Sequence, residues 1–301
     1  MGAPAVPVSV VIPSHDEGHR VASTLESLLA TLPPAAEVII VDDRSTDGSV
    51  DRLEDIDYRV RVLRPPERLG VAGARNYGAS VSRGSLLVFC DAHVSVPPGW
   101  LRPLADALTV ADVGAVAPGI TSMDARATGY GLTWVGRPLQ AEWLERFAST
   151  PYAVPFLGGG FLAMRREVFF RSGAFDPGFV RWGSEDIELS LRLWMLGWEC
   201  RVVPAVEAVH DFRTSFPYAV GDEPIVHNQL RLSVLHFGQP RLAALVSILA
   251  EDPHFGAAAS RLFAGDVLER RMQIEQARRY DDEWFTDAFG MPFERGSARA
   301  Y

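Results

Sequence analysis

Four short apolar runs, spaced by helical patterns, constrain this chain more than any other feature. The runs are Val6–Ile12, Glu37–Val41, Val60–Leu63 and Leu86–Cys90. Between them lie Ser23–Leu32, with Leu25, Leu28, Leu29 and Leu32 at helical spacing before Pro33-Pro34, and the short stretch Val50–Leu53. Gly70–Ala79 follows, rich in the small residues that let a helix press against a sheet. Strand–helix alternation of this kind predicts an α/β fold with a mixed, mainly parallel sheet flanked by helices. The run Leu86–Cys90 has no polar face, so it reads as a buried parallel strand. It stops at Asp91, with His93 two positions on. Open α/β sheets bind ligands at the carboxyl ends of their strands. In an extended segment residues i and i+2 point the same way, so Asp91 and His93 can converge on one ion. Taken alone, the pair fits equally a capping Asp and a solvated His.

Two further features fall at the same edge of the inferred sheet. The acidic turn Asp42-Asp43 follows the second run, and His210 ends a late apolar segment. A carboxylate and two imidazoles suit a divalent transition ion that keeps positions open for phosphate oxygens. Mn²⁺ accepts such mixed ligation, with Mg²⁺ the all-oxygen alternative. A net charge of −9 argues against a general nucleic-acid binder. An anionic ligand would therefore need the ion or local arginines. No apolar run approaches the roughly 20 residues of a transmembrane span. Met1–Val8 lacks the charge of a signal peptide, and two cysteines make no disulfide framework. These features predict a cytoplasmic protein with no transmembrane segment. No strand is followed by GxGxxG, so the dinucleotide fingerprint is absent.

Beyond the fourth run, Leu101–Leu108 reads as a helix and Val113–Pro118 as a strand. Thr121–Thr150 is irregular, and its Trp134, Trp143 and Phe147 fit either an acceptor platform or edge packing. Phe156–Arg165 carries Gly158-Gly159-Gly160, with a helix after it through Phe170. Trp182-Gly183-Ser184-Glu185-Asp186 precedes an amphipathic helix, Ile187–Leu196. Ser184 stands at its N-cap, with Glu185 and Asp186 in a first turn that favours carboxylates. Cys200–Val203 and Ala205–Val209 read as short strands leading to His210, and Leu242 to about Arg279 as helical. The tail from Asp281 shows no period.

Val8-Ser9-Val10-Val11-Ile12-Pro13 with Val41-Asp42-Asp43-Arg44-Ser45-Thr46-Asp47 resembles the N-terminal half of family 2 and related glycosyltransferases of the GT-A (Rossmann-like) fold. The later motifs are most similar to the catalytic domain of the polypeptide N-acetylgalactosaminyltransferases. They are Asp91-Ala92-His93, Gly159-Gly160-Phe161, the stretch from Trp182 to Trp194 and His210-Asp211-Phe212-Arg213, with Pro217-Tyr218, Asn228 and Arg231 after them. The likeness covers roughly residues 6 to 235. It implies a catalytic domain over 1–240, with 241–301 a helical C-terminal extension.

The resemblance also implies roles. Pro13, Asp43 and Arg75 would lie with the nucleotide, Asp43 against the base. Asp91, His93 and His210 would hold Mn²⁺ against the diphosphate. Gly159 and Gly160 would let the backbone approach the donor sugar. Trp182 would flank the β-phosphate or acceptor, Glu185 would bond sugar hydroxyls, and Arg213 would bring positive charge to the leaving group. Each also has a structural reading: Asp43 as a cap, Arg75 as a surface charge, Trp182 as core, Glu185 as a partner of the helix dipole, the glycines as a turn. The implied reaction moves a hexose or N-acetylhexosamine from a UDP-sugar to a hydroxyl of a small-molecule or peptide acceptor. Asp186 departs from the family's Asn. Glu-Asp is the pairing of inverting family 2 enzymes, where the Asp is the base. Retention is the expectation, and inversion through Asp186 is the alternative. A nucleotidyltransferase would need a basic Gly-rich loop where Pro13–Gly18 is acidic. A non-catalytic sugar-nucleotide binder is the reading from another class, and the intact Asp91, His93, His210 set argues against it.

Overall fold

The computed structural model describes residues 7–213 and 221–293. Val6 and Pro217-Tyr218 lie outside them. The first half alternates as the pattern requires. Strands Val8–Ser14 (β1), Glu37–Asp42 (β2), Val60–Leu63 (β3) and Leu86–Cys90 (β4) enclose helices Arg20–Leu29 (α1) and Gly70–Ser80 (α2). Next come Val94–Ser95 (β5), Leu101–Ala107 (α3), Val113–Ser122 (β6), Thr128–Gly129 (β7), Leu132–Trp134 (β8), Ala141–Trp143 (β9) and Tyr152–Ala153 (β10). Phe161–Arg165 (β11), Arg166–Arg171 (α4), Glu185–Met195 (α5) and Glu199–His210 (β12) complete the sheet region. Helices Asp222–His236 (α6), Arg241–Leu249 (α7), Phe255–Ala264 (α8), Val267–Ala277 (α9) and Asp282–Phe289 (α10) close the described chain.

The main sheet runs β10-β12-β6-β11-β4-β1-β2-β3. β3, β2, β1 and β4 are mutually parallel, as are β6 and β12. β11 runs antiparallel between β4 and β6. From β1 the chain goes outward to β2 and β3, then returns to place β4 on the other side of β1. That reversal opens a crevice beyond the carboxyl ends of β1 and β4, where such sheets bind ligands. Alternate strand residues feed two cores, as the period of two demands. Val11, Ile39, Val41, Leu87 and Phe89 face α2 and α5, while Val10, Ile12, Ile40, Val88 and Cys90 face α1 and α3. Among the described residues no helix is long and apolar enough to cross a membrane.

Several elements differ from the sequence reading for identifiable reasons. α1 starts at Arg20 and ends at Leu29, and Leu32, which precedes Pro33 and so avoids helical geometry, lies outside it. Val50–Leu53 is turn, with one 3₁₀ turn at Leu53–Asp55 after a left-handed Arg52. The two late strands are one, β12, irregular between Val203 and Glu207 around Pro204, which cannot donate to the ladder. Thr121–Thr150 holds short strands, and Trp134 is core. α5 carries the amphipathic pattern read in the sequence, but its polar side is buried as well. It is buried on nearly every face, including Glu188 and Arg192, which pair with each other at 2.8 Å. α6 shows no stripe in the sequence because it is likewise buried nearly all round. Its Leu230, Val234 and Leu235 share a small core with Leu249, Leu262, Val267 and Ile274, so that core draws on both sides of residue 240. The tail from Asp281 forms α10, which seats Phe285 in the main core.

Candidate active site

The crevice is a cavity of about 540 Å³. Pro13 and Ser14 at the end of β1, His15 and Glu17 after it, Asp43 after β2, and Asp91 and His93 after β4 line one end. Gly158–Gly160 before β11 form the floor, Trp182–Asp186 the wall at the start of α5, and His210 ends β12 with Phe212 and Arg213 after it. The topology thus brings together Pro13, Asp43, Arg75, Asp91, His93, Gly159, Gly160, Trp182, Glu185, Asp186, His210 and Arg213.

Asp91 and His93 do not continue β4 as an extended strand. They occupy the turn before β5. The two still converge, because the Asp91 N–H bonds the Gly160 carbonyl and β5 pairs with the end of β12. Asp91, His93 and His210 each offer a ligand atom, all within 4.8 Å of one another. His210 Nε2 lies 3.5 Å from Asp91 Oδ2. A Cβ on Gly160 would come within 2.8 Å of His210 Cδ2 and 3.1 Å of its Nε2, so glycine is needed there for the ring to sit. This donor set, one carboxylate and two imidazoles around a small gap, fits a divalent transition ion.

Arg75 organises the floor from beneath. Buried at 1% exposure, it donates to Asp91 Oδ1 at 2.8 Å, the Gly159 carbonyl at 2.6 Å and Glu185 Oε1 at 3.2 Å. Burial pushes the Asp91 carboxyl up, but the His210 bond and the charges of Arg75, His93 and His210 overcome it and hold it well below the carboxylate range. Glu185 goes the other way. Burial, then the neighbouring Asp186 charge, push it up to about 7 against the pull of Arg75. Burial also raises Asp186, against the Gly159 N–H. Asp186 Oδ2 accepts from Gly159 N at 2.7 Å and Oδ1 from Ile187 N at 2.8 Å. It therefore clamps the glycine floor to the head of α5. Ser184 holds the N-cap position in a left-handed conformation, φ 65°, and its side chain makes no capping bond.

Asp43 accepts from Leu69 N and Gly70 N, which ties the β2 turn to the start of α2. Trp182 stands half-exposed at the cavity mouth, and Arg213 packs against Glu17 and His93. Of the aromatics in 121–150, only Trp143 lines the cavity. It rests on Gly129 and Gly158, edge-on to Phe212, whose ring lies 4.3 Å from that of His210. Phe147 is exposed beside Tyr152.

Glu17 and Asn228 are among the site components to which the sequence reading gave no role. Glu17 sits behind His93, and its only signal was an acid in the loop after the first strand. Asn228 of α6 accepts from Val180 N and donates to the carbonyls of Val180, Trp182 and Gly183, so it holds the loop that carries Trp182. Only the distant packing of α6 shows this.

Known proteins resemble this chain in sequence and in fold. Residues 145–215 match the pattern described as the N-terminal domain of galactosyltransferase. A putative polypeptide N-acetylgalactosaminyltransferase 13 of Drosophila melanogaster is 35% identical over 68% of this chain and 42% of its own length. Polypeptide N-acetylgalactosaminyltransferase 6 of Mus musculus is 30% identical over 94% of this chain and 49% of its own. The chain thus spans about half or less of the curated relatives it matches. A crystal structure of GalNAc-T7 with UDP, GalNAc and Mn²⁺ superposes with a TM-score of 0.78 at 24% identity, covering 96% of this chain and 57% of that one. The mannosyltransferase PcManGT of Pyrobaculum calidifontis, in complex with GDP-Man and Mn²⁺, gives 0.52 at 19% identity over 90% and 74%. Residues 9–171, more than half the chain, match the glycosyl transferase family 2 pattern, and the chain belongs to that family.

Proposed function

We propose that this protein is a metal-dependent glycosyltransferase that moves a hexose or N-acetylhexosamine from a UDP-sugar to a hydroxyl of a small-molecule or peptide acceptor, with retention. The observation that carries the reading is the Asp91, His93, His210 cluster at the topological switch point of a family 2 sheet. Those three residues would hold Mn²⁺, the ion held with UDP in the GalNAc-T7 structure. Once bound, it supplies Lewis acidity to the departing diphosphate. The chain's own residues do the rest. Arg75 orders the floor, Asp43 and Pro13 flank the nucleotide end, and Gly159 and Gly160 leave room for the sugar. Glu185 stands ready to hydrogen-bond sugar hydroxyls, Trp182 covers the mouth, and Arg213 adds charge near the leaving group.

The bonding of Asp186 favours retention over inversion through that residue. Both Asp186 oxygens are taken by backbone N–H groups, so it serves as a clamp before it can serve as a base. The free, buried Cys90 and Cys200 suit the cytoplasmic setting that is part of this reading, with natural-product or cell-envelope synthesis as its context.

The test is UDP release from a panel of UDP-sugars with and without Mn²⁺. Slow metal-dependent hydrolysis of one donor is expected even without acceptor, and His210→Ala should abolish metal-dependent UDP binding. No turnover together with no UDP affinity would sink the reading. Asp186→Asn separates the two stereochemical outcomes. Asn keeps the bond from Gly159 through its amide oxygen but turns its NH₂ toward the Ile187 N–H, so a clamp loses about tenfold in activity, whereas a lost general base costs about 10²- to 10⁴-fold.

A further inference from the structure

The loop after β1 puts a buried carboxylate behind the His93 ring. Glu17 is 5% exposed, and its Oε2 lies 3.2 Å from His93 Nδ1. The same oxygen accepts from Arg213 Nη2, which itself lies 2.7 Å from Nδ1. An acceptor and a donor therefore meet at one ring nitrogen. A neutral imidazole carries its single proton on one nitrogen, and only the other can ligate a metal. With the proton on Nδ1 and directed to Glu17, Nε2 keeps its lone pair for the site it shares with Asp91 and His210. With Arg213 donating to Nδ1, the proton moves to Nε2 and the ring cannot bind an ion. Glu17 and Arg213 thus pull His93 toward opposite tautomers. Glu17 also accepts from the Arg213 group that would otherwise donate to the ring.

We propose that Glu17 is the positioning residue of the metal site: it holds His93 in the Nδ1–H tautomer and draws the Arg213 donor off that nitrogen. This rests on the metal reading above and adds a residue outside the ligand set. Metal-bound histidines commonly give their other N–H to a carboxylate, and loss of that partner costs about 10- to 100-fold in affinity.

The wild type, E17A, E17Q and the double variant E17A/R213M would be titrated with Mn²⁺ alone and followed by the EPR signal of the free ion. Long-range ¹⁵N correlation spectra of the metal-free proteins would report the His93 tautomer, and thermal melts would report folding. E17A is expected to weaken Mn²⁺ binding about 10- to 100-fold and to lower Tm as well, because it leaves the buried Arg213 unpaired, so the tautomer and the double variant separate positioning from folding. E17Q should lose less, because its amide oxygen still accepts from Nδ1–H. Adding R213M to E17A should recover affinity, since the competing donor is gone. The His93 proton should sit on Nδ1 in the wild type and on Nε2 in E17A. Wild-type affinity in E17A, or a double variant no better than E17A, would overturn the proposal. So would a wild-type His93 already protonated on Nε2. If the wild type takes up no Mn²⁺, the metal reading fails, and the tautomers still decide what Glu17 does.

Discussion

Glu185→Gln removes one titrating group from the head of α5 while keeping its shape, and the effect on stability can be worked through. In the folded protein burial and Asp186 push this carboxyl from 4.5 up to about 7. Between those values the folded state holds a proton that the unfolded chain has released. Stability then falls as pH rises. The contribution is fully present below about pH 4.5 and is lost by the time pH has passed about 7. At about 1.4 kcal/mol per pK unit the whole loss is about 3 kcal/mol, of which about 2 kcal/mol falls between roughly pH 5 and pH 7.5. Glu185→Gln lacks this dependence. Urea unfolding of the metal-free wild type and variant at both pH values isolates the term, because the other titrating groups largely cancel in the difference. The variant should gain about 2 kcal/mol on the wild type across the interval. Parallel profiles, within about 0.5 kcal/mol, would refute the assignment of a raised carboxyl here.

Three other perturbations probe the site from different sides. Gly160→Ala forces a Cβ to within 2.8 Å of His210 Cδ2, so calorimetry should show Mn²⁺ affinity falling about tenfold with little loss of stability. Asn228→Ala leaves Val180 N and three carbonyls without their shared partner. It should cost about 2–4 kcal/mol, lower Tm by several degrees and raise the donor KM more than it lowers kcat. Trp143→Ala should raise the acceptor KM while leaving acceptor-independent donor hydrolysis unchanged, and equal loss of both would show that Trp143 serves the donor site instead.

Much of the architecture was readable because it depends on local pattern. Val60–Leu63 and Leu86–Cys90 appear at the strand boundaries their apolar runs predict, and Gly70–Ala79 forms its helix one residue longer. Elements buried on every face gave no such signal. α6 mixes His227, Asn228, Arg231, Ser233 and His236 into its buried surface, so no apolar stripe betrays it. The acids were ambiguous for a similar reason. Glu185 and Asp186 look like first-turn carboxylates in the chain, yet one is held by Arg75 of α2 and the other holds Gly159.

The amino-acid sequence by itself determined the α/β class, the crevice at the strand ends and which side chains are candidates to hold a metal. Apolar periodicity and motif order are properties of neighbouring residues. Tertiary structure alone decided how the polar groups are committed. Asp186 is a clamp because the glycine floor folds back onto α5. Arg75 is a buried hub because α2 packs beneath that floor. Glu17 stands behind His93 because β1 and β4 are adjacent strands. Hydrogen-bond partners separated by tens or hundreds of residues leave no trace in local pattern, and burial sets which carboxyls gain protons and which lose them.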